Sequence, residues 1–348
     1  MDRRSHATNK VNEVTQHKVT LHDIYLARQR IASISKRTPL VHSSALSECF
    51  DGTVHLKLEG LQDTGSFKIR GAANKMLSLT MEEKARGVIT GSSGNHGLAV
   101  AYIAKCLDIR DVICVSARTP SNKVKAIREL GAEVVVHGKS YDESVNHALK
   151  LAKDRKLTMI DSFDDPHVIA GQGTIGVELL EDLPEIDAAI VPLAGGGLLC
   201  GIALALKSAN PSIRVVGVSM ERAPVMYHSL KAGKPIEMKE EETIAHALAG
   251  GLGQNNRYTF HMTQEYVDEV VLVSEEAIAE AMIFALAHNH LVVEGAGAVG
   301  IAAVLYGKVG KVGSNVVVVV SGSNADVQLL LRIAQLHKCG DGNSQPKA

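Results

Sequence analysis

The segment Asp63 to Ala72, DTGSFKIRGA, places a lysine, Lys68, about one turn into a helix opened by Thr64, Gly65 and Ser66. A helix N-terminus carries partial positive charge and unpaired N–H groups, so it favours anions and mildly disfavours an ammonium group. Three readings of Lys68 are open: a solvated helix lysine, a point charge for phosphate, or an amine nucleophile. For the third, the awkward placement is an asset. A nucleophilic amine must be neutral, and positive surroundings lower its pKa in the useful direction.

Glycine-rich turns recur along the chain. GSSGNHG spans Gly91 to Gly97, AGGGLLCG Ala194 to Gly201, GAGAVG Gly295 to Gly300 and SGSNAD Ser321 to Asp326. Each follows an apolar run and precedes a helical pattern, and that end of the strands is where open α/β sheets bind ligands. Successive glycines let backbone N–H groups surround an anion. Any one turn can be read as tight packing; four together point to an anionic cofactor or substrate. The guest is not a nucleoside triphosphate held by a P-loop, because Lys68 is preceded by Phe67 and followed by Ile69 rather than set in GxxxxGK[ST]. GAGAVG matches GxGxxG literally, which leaves an NAD-dependent oxidoreductase using Gly295 to Gly300 as a distant alternative. That fingerprint needs an acidic residue about 20 positions on at the end of a second strand, and here the next strand ends in Ser321. The fifteen histidines include no HExxH, and His288 and His290 fall outside any ligand pattern. Cys49, Cys106, Cys114, Cys200 and Cys339 form no CxxC pair, which argues against a zinc site and against a disulfide framework and fits a cytoplasmic location.

The elements that must position these groups read as α/β. Short apolar runs alternate with segments of helical period from about residue 53 to 335, the signature of a mostly parallel sheet wrapped by crossover helices. Expected strands are His55 to Glu59, Gly87 to Thr90, Val112 to Ser116, Glu133 to His137, Ala188 to Leu193, Arg214 to Val218, Glu269 to Val273 and Asn315 to Val320. Expected helices include Asn122 to Leu130, Glu143 to Asp154, Gly173 to Leu180 and Glu275 to His288. NVVVVV before Ser321 has no polar face, as a strand covered on both sides requires. The 348 residues suffice for two packed units, and a formal charge of −1 with no tryptophan gives no attraction to nucleic acid or to an acidic membrane surface. No apolar run reaches membrane-spanning length. Residues 1–18 and 339–348 read as loose tails.

The motifs SFKIRGA with Lys68, SSGNHG with Asn95, GGGLLCG after VPLA, and SGSN with Ser321 resemble, in order and spacing, the fold-type II pyridoxal-phosphate enzymes. The chain is most similar to their threonine dehydratase and serine racemase branch. The likeness runs from Thr38 to Gln335 and takes in HLKLEGLQ, the AGQGT segment from Ala170 to Thr174 and the EGAG turn at Glu294. This resemblance implies the tryptophan synthase β-like fold: open, mostly parallel sheets in a large domain, 1–79 with 163–348, and a small α/β domain, 80–162, with the cofactor in the cleft. It implies that Lys68 binds the cofactor as a Schiff base and then removes the substrate α-proton. Phe67 would pack beside the cofactor ring, and Asn95 would hydrogen-bond its 3-hydroxyl oxygen. Gly195, Gly196, Gly197 and Leu198, with Ala194 at the edge, would cradle its phosphate, and Glu294 would lie at the same site. Ser92, Ser93, Gly94 and His96 would surround the substrate carboxylate. Ser321 would sit against the pyridine nitrogen, where a hydroxyl, unlike a carboxylate, leaves the ring neutral. A neutral ring is a weaker electron sink, which favours loss of a β-leaving group over transamination.

The resemblance therefore implies a dehydratase, an ammonia-lyase turning a β-hydroxy-α-amino acid into a 2-oxo acid and ammonia. Serine or threonine, 3-hydroxyaspartate, phenylserine and hydroxyectoine-derived amino acids are all admissible substrates. An amino-acid racemase is the alternative, with Ser93 as the second acid/base facing Lys68 across the cofactor; a binding protein without turnover is a third. Departures from the family pattern are Ala194 for the first of four glycines, and Ser219 and Val225 where metal-binding relatives carry carboxylates, so no divalent metal is expected there. TIAHALAGGLG, with His246 and glycines at 250, 251 and 253, resembles the hydroxyectoine-utilisation dehydratases. Relatives suggest a homodimer.

Overall fold

The computed structural model describes residues 18–340 apart from 93, 120 and 254. It contains ten strands: β1 (Leu40–His42), β2 (Thr53–Leu58), β3 (Val88–Gly91), β4 (Asp111–Val115), β5 (Glu133–Val136), β6 (Thr158–Met159), β7 (Ala188–Pro192), β8 (Arg214–Met220), β9 (Glu269–Val273) and β10 (Asn315–Val320). Six form one sheet in the order β1-β2-β10-β7-β8-β9, and four form a second in the order β5-β4-β3-β6. Every pairing is parallel except β1 with β2. The fold is the α/β, mostly parallel class expected.

The valine run explains the larger sheet's centre. Strand side chains alternate between faces, so Val316, Val318 and Val320 enter one core with Ala298, Val299 and Ile301, while Val317 and Val319 enter the other with Leu199, Ile202 and Ala203. With both faces covered, only an unbroken apolar run leaves no polar group stranded. The second sheet is built wholly from residues 88–159. The chain enters it through the helices Lys68–Leu77 and Met81–Arg86 and leaves it through the polar turn 161–165.

Four sequence expectations change. Strands β1 and β6, three and two residues long, are too short to show a period and were not foreseen. The helix expected from Gly173 begins at Pro166, capped by Asp165, whose carboxylate accepts from the N–H groups of His167 and Val168 at 2.8 and 3.2 Å. Its glycines serve close packing: a Cβ on Gly173 would lie 2.9 Å from the Gly201 carbonyl oxygen, and one on Gly176 2.8 Å from the Ala205 Cβ. Finally, the segment before GAGAVG, Leu291 to Glu294, is not a strand. The C-terminal helix Val327–Gly340 runs two residues into the stretch expected to be loose; the rest of both tails, 1–17 and 341–348, falls outside the described residues.

A buried ionic network fixes the helix that Lys68 opens. Arg70 donates through Nε to Glu59 at 2.9 Å and through its terminal nitrogens to Glu178 at 2.6 and 2.9 Å, and Lys57 Nζ lies 2.7 Å from the same Glu178. All four side chains are buried, so each charge depends on the others for its solvation.

Candidate active site

Lys68 is the first residue of the helix Lys68–Leu77 rather than one turn inside it, and Phe67 supplies no side-chain cap. The turn before it is stitched to the end of β10: Ser66 bridges Gly322, and the Phe67 N–H donates to the Ser321 carbonyl at 3.1 Å. Lys68 Nζ donates to the Ser162 carbonyl at 2.7 Å and stands 5.2 Å from the centre of the Phe67 ring. Burial pushes the amine's pKa down to about 8, against the pull of the Asp161 carboxylate, which favours the ammonium form. The direction is the one anticipated, but its main cause is desolvation rather than neighbouring positive charge.

Four distant segments converge beside this amine. Asn95 opens the helix Asn95–Leu107; its Nδ2 donates to Glu294 Oε1 at 2.5 Å, and its Oδ1 accepts from Asn324 Nδ2 at 2.9 Å. Asn324 Nδ2 also donates to the Thr64 carbonyl at 2.9 Å, which closes the ring of segments. The Asn95 oxygen is thus engaged within the protein, whereas a carboxamide nitrogen has a second hydrogen to offer a ligand oxygen. Burial pushes the Glu294 carboxyl above its usual range.

Ser92 follows β3, its N–H donating to the Cys114 carbonyl at 2.9 Å, and its hydroxyl accepts from the Gly94 N–H at 3.3 Å. A side chain at Gly94 would meet nothing within 4 Å, so this backbone faces open space. Ser93, the second catalytic candidate, lies outside the described residues. His96 donates through Nε2 to the Ile160 carbonyl at 3.1 Å, which leaves Nδ1 a buried acceptor with no partner. Burial, reinforced by Lys68, pushes this imidazole down to about 3, so it is neutral at physiological pH.

The third glycine turn forms a cradle. After β7 the chain passes Leu193, Ala194 and Gly195 to Gly196, which caps the helix Gly197–Ala209 at φ +93° and offers no side chain to its first N–H groups. A Cβ at Gly195 would strike the Phe163 ring, and one at Gly197 would lie 2.8 Å from the Phe163 carbonyl oxygen. Leu198 points into the core behind, and Ala194 packs against the opposite core. Thr64 Oγ1 and Ser66 Oγ are buried without hydrogen-bond partners, and Ser321 is buried where β10 ends. An uncapped helix start shaped by glycine, a lowered amine, a spare amide hydrogen and orphaned hydroxyls fit a flat, hydrogen-bonding group that carries a phosphate and a carbonyl, as pyridoxal phosphate does.

The fourth glycine turn plays another part. GAGAVG follows no strand, and its glycines let the helix Gly295–Leu305 approach β10: Cβ atoms on Gly297 and Gly300 would lie 2.7 Å from the Gly322 oxygen and from Val318 Cγ1. Glu294 at its start, not the glycines, reaches the site. Ser219 is buried in β8 against the Met220 sulfur, Val225 opens the helix Val225–Ala232, and His246 sits exposed on a short 3-10 turn. Among the described residues no group of three or more His, Cys, Asp or Glu is arranged to hold a metal, and no helix is long and apolar enough to cross a membrane.

Sequence reasoning missed the turn Asp161 to Asp164, which touches both the Lys68 amine and the glycine cradle. Asp161 Oδ1 accepts from the Phe163 and Asp164 N–H groups at 2.9 and 2.8 Å, Ser162 receives the Lys68 amine, and Phe163 covers the glycine cradle. Asp164 accepts from the backbone of Arg257, Tyr258 and Thr259 at 2.6 to 2.9 Å. The run DSFDDP, dense in turn and cap residues before a proline, was the available signal.

Known proteins are similar to this chain in sequence and fold. The model of the pyridoxal-phosphate dependent enzyme family matches residues 31–322. An L-threonine ammonia-lyase of Thermotoga maritima is 44% identical over 90% of this chain and 78% of its own length. A catabolic L-threonine dehydratase of Staphylococcus aureus is 43% identical over 92% of this chain and 93% of its own. Among solved structures, maize serine racemase aligns with a TM-score of 0.85 and 33% identity, covering 94% of this chain and all of that one. The cofactor that the glycine cradle and Lys68 were found to fit is the one the matched family uses, and the chain belongs to the pyridoxal-phosphate dependent enzymes.

Proposed function

We propose that the protein is a dehydratase that converts a β-hydroxy-α-amino acid into a 2-oxo acid and ammonia. The observation that carries this reading is the buried Lys68 amine, lowered to about 8 and donating to the Ser162 carbonyl at 2.7 Å, on the turn whose next residue, Phe163, covers the glycine cradle. Pyridoxal phosphate, when bound, supplies a conjugated ring that acidifies the substrate α-hydrogen. Lys68 would anchor it and would take that hydrogen at Nζ, a role suited to an amine that exchanges protons near neutrality. The uncapped N–H groups of the helix Gly197–Ala209 would hold the phosphate, Asn95 would donate to the ring oxygen, and the Ser321 hydroxyl would serve the ring nitrogen. The backbone around Ser92, Ser93 and Gly94 takes the substrate carboxylate. His96, neutral and locked to Ile160, adds no charge beside it. Loss of the α-hydrogen and the β-hydroxyl leaves an unsaturated amine, which water converts to the 2-oxo acid and ammonia.

Support comes from relatives named for threonine. The test is release of 2-oxo acid from serine, threonine, 3-hydroxyaspartate, phenylserine and hydroxyectoine-derived amino acids; no release from any of them refutes the reading. The similarity to a serine racemase favours a second activity with Ser93 as the opposite acid/base, and D-amino acid appearing in the same reactions is its measure. The same proposal includes a cytoplasmic homodimer. It also includes a large domain of 1–79 with 163–348 and a small domain of 80–162, supported by two sheets that share no strand.

A further inference from the structure

Tyr141 starts the helix Tyr141–Arg155 beside the four-stranded sheet, with Ser140 as its cap. Its hydroxyl stands 2.8 Å from Ser162 Oγ, and Ser162 is the residue whose carbonyl receives the Lys68 amine. A phenol in such a place needs a partner, and Ser162 is the one it has. On its other side the ring fills the space next to Gly250. A Cβ there would lie 2.6 Å from Tyr141 Cδ1, and Gly250 takes φ +115°, so both the room and the backbone conformation require glycine. The Tyr141 N–H donates to Glu240 Oε2 at 3.1 Å, and the neighbouring Asp142 Oδ1 accepts from the Gly251 N–H at 3.2 Å. One helix start therefore grips the 240–251 segment from the side of the smaller sheet, and the same residue braces the peptide that orients Lys68.

We propose that Tyr141 is a positioning residue that couples the docking of the 240–251 segment to the placement of the Lys68 amine. The coupling runs through one hydroxyl pair. Without the phenol oxygen, Ser162 Oγ loses its partner, the 162 peptide gains other orientations, and the amine spends less time aimed at an incoming carbonyl. Asp161 still anchors the turn from its other end through the Phe163 and Asp164 N–H groups, so the effect falls on orientation more than on folding. The docking contacts survive as well, because Tyr141→Phe keeps the ring against Gly250 and the backbone bond to Glu240.

The experiment follows cofactor capture by the apoenzyme, read as growth of visible absorbance after mixing with pyridoxal phosphate, in Tyr141→Phe, Ser162→Ala and the double variant. Each single change is expected to slow capture about fivefold or more while the melting temperature stays within about 2 °C, and the double variant is expected to be no slower than the slower single, since both remove one interaction. Capture at the wild-type rate in Tyr141→Phe overturns the proposal, as does a double variant whose slowing is the product of the two. If Tyr141→Phe does not fold, Ser162→Ala removes the same bond from the other side, and an unchanged capture rate there has the same force. No substrate takes part, so this outcome is separate from the fate of the dehydratase reading.

Discussion

Replacing Asp161 with Asn tests the electrostatics of Lys68 directly. Amine attack on a carbonyl requires the neutral form, so the rate at which the apoenzyme is covalently loaded follows the neutral fraction of Lys68. At pH 7 a lysine at its ordinary 10.5 is neutral in about 0.03% of molecules, and one at about 8 in roughly a tenth, a gain of about 300-fold in reactive amine. The loading rate should therefore climb about tenfold per pH unit below 8 and level off above it, once divided by the rate of a free model amine to remove the cofactor's own ionisations. Asp161 opposes this shift because its negative charge holds the Lys68 proton in place. Asp161→Asn keeps the Oδ1 acceptor for the Phe163 and Asp164 N–H groups but removes the charge. The sign is then fixed: the midpoint moves to lower pH, by about one unit, and loading at pH 7 rises about fivefold. Stopped-flow absorbance between pH 6 and pH 10 reads both curves. A wild-type rate that still climbs tenfold per unit at pH 9.5 refutes burial as the cause of the lowered amine, and a midpoint in Asp161→Asn above that of wild type refutes the opposing pull of Asp161.

Other perturbations separate the anchoring, the cradle and the scaffold. Lys68→Ala should bind pyridoxal phosphate without a covalent link, so borohydride treatment followed by mass spectrometry should find no fixed cofactor; a stable adduct elsewhere would mean another lysine does the work. Gly196→Ala places a side chain at φ +93° and 3.0 Å from Thr259 Cβ, at a cost of about 1–3 kcal/mol, and should weaken cofactor affinity about fivefold or more, read by equilibrium titration. Arg70→Ala leaves Glu59 and Glu178 buried beside an empty place and should lower unfolding free energy by about 3–5 kcal/mol in urea; a loss below 1 kcal/mol would show that water relieves the two carboxylates.

What could be read from the sequence was whatever local pattern determines. NVVVVV, with no polar face, read as a strand covered on both faces, and GGGLLCG after an apolar run read as a strand-to-helix turn whose use for anion binding rested on the other glycine turns beside it. GAGAVG shows where pattern fails. Its glycines have the same spacing as a dinucleotide turn, yet they serve the approach of a helix to β10, and it is the context, no strand before and no acidic residue at the end of the strand after, that separates the two uses. Ser162 was missed for a different reason. Toward Lys68 it acts through its main-chain carbonyl, which every residue possesses, so no choice of side chain advertises that contact. Tyr141 likewise lies 73 positions from Lys68 in sequence, and nothing in its own helix shows that it faces the lysine's holder.

Desolvation also divides the electrostatic work of the site. Removing water disfavours charge on every group at once, so the same surroundings lower Lys68 to about 8, lower His96 to about 3 and raise the Asp161 and Glu294 carboxyls. A nucleophilic amine gains from this, whereas a lysine meant to hold phosphate would lose the charge it needs. Phosphate recognition must then come from something that burial does not neutralise. Backbone N–H groups meet that condition, because a peptide dipole has no proton to surrender over this pH range. The uncapped helix start at Gly196 and the lowered amine at Lys68 thus divide the work of the site, and a cation placed in the cradle would hold its charge beside Lys68 only at the expense of its own solvation.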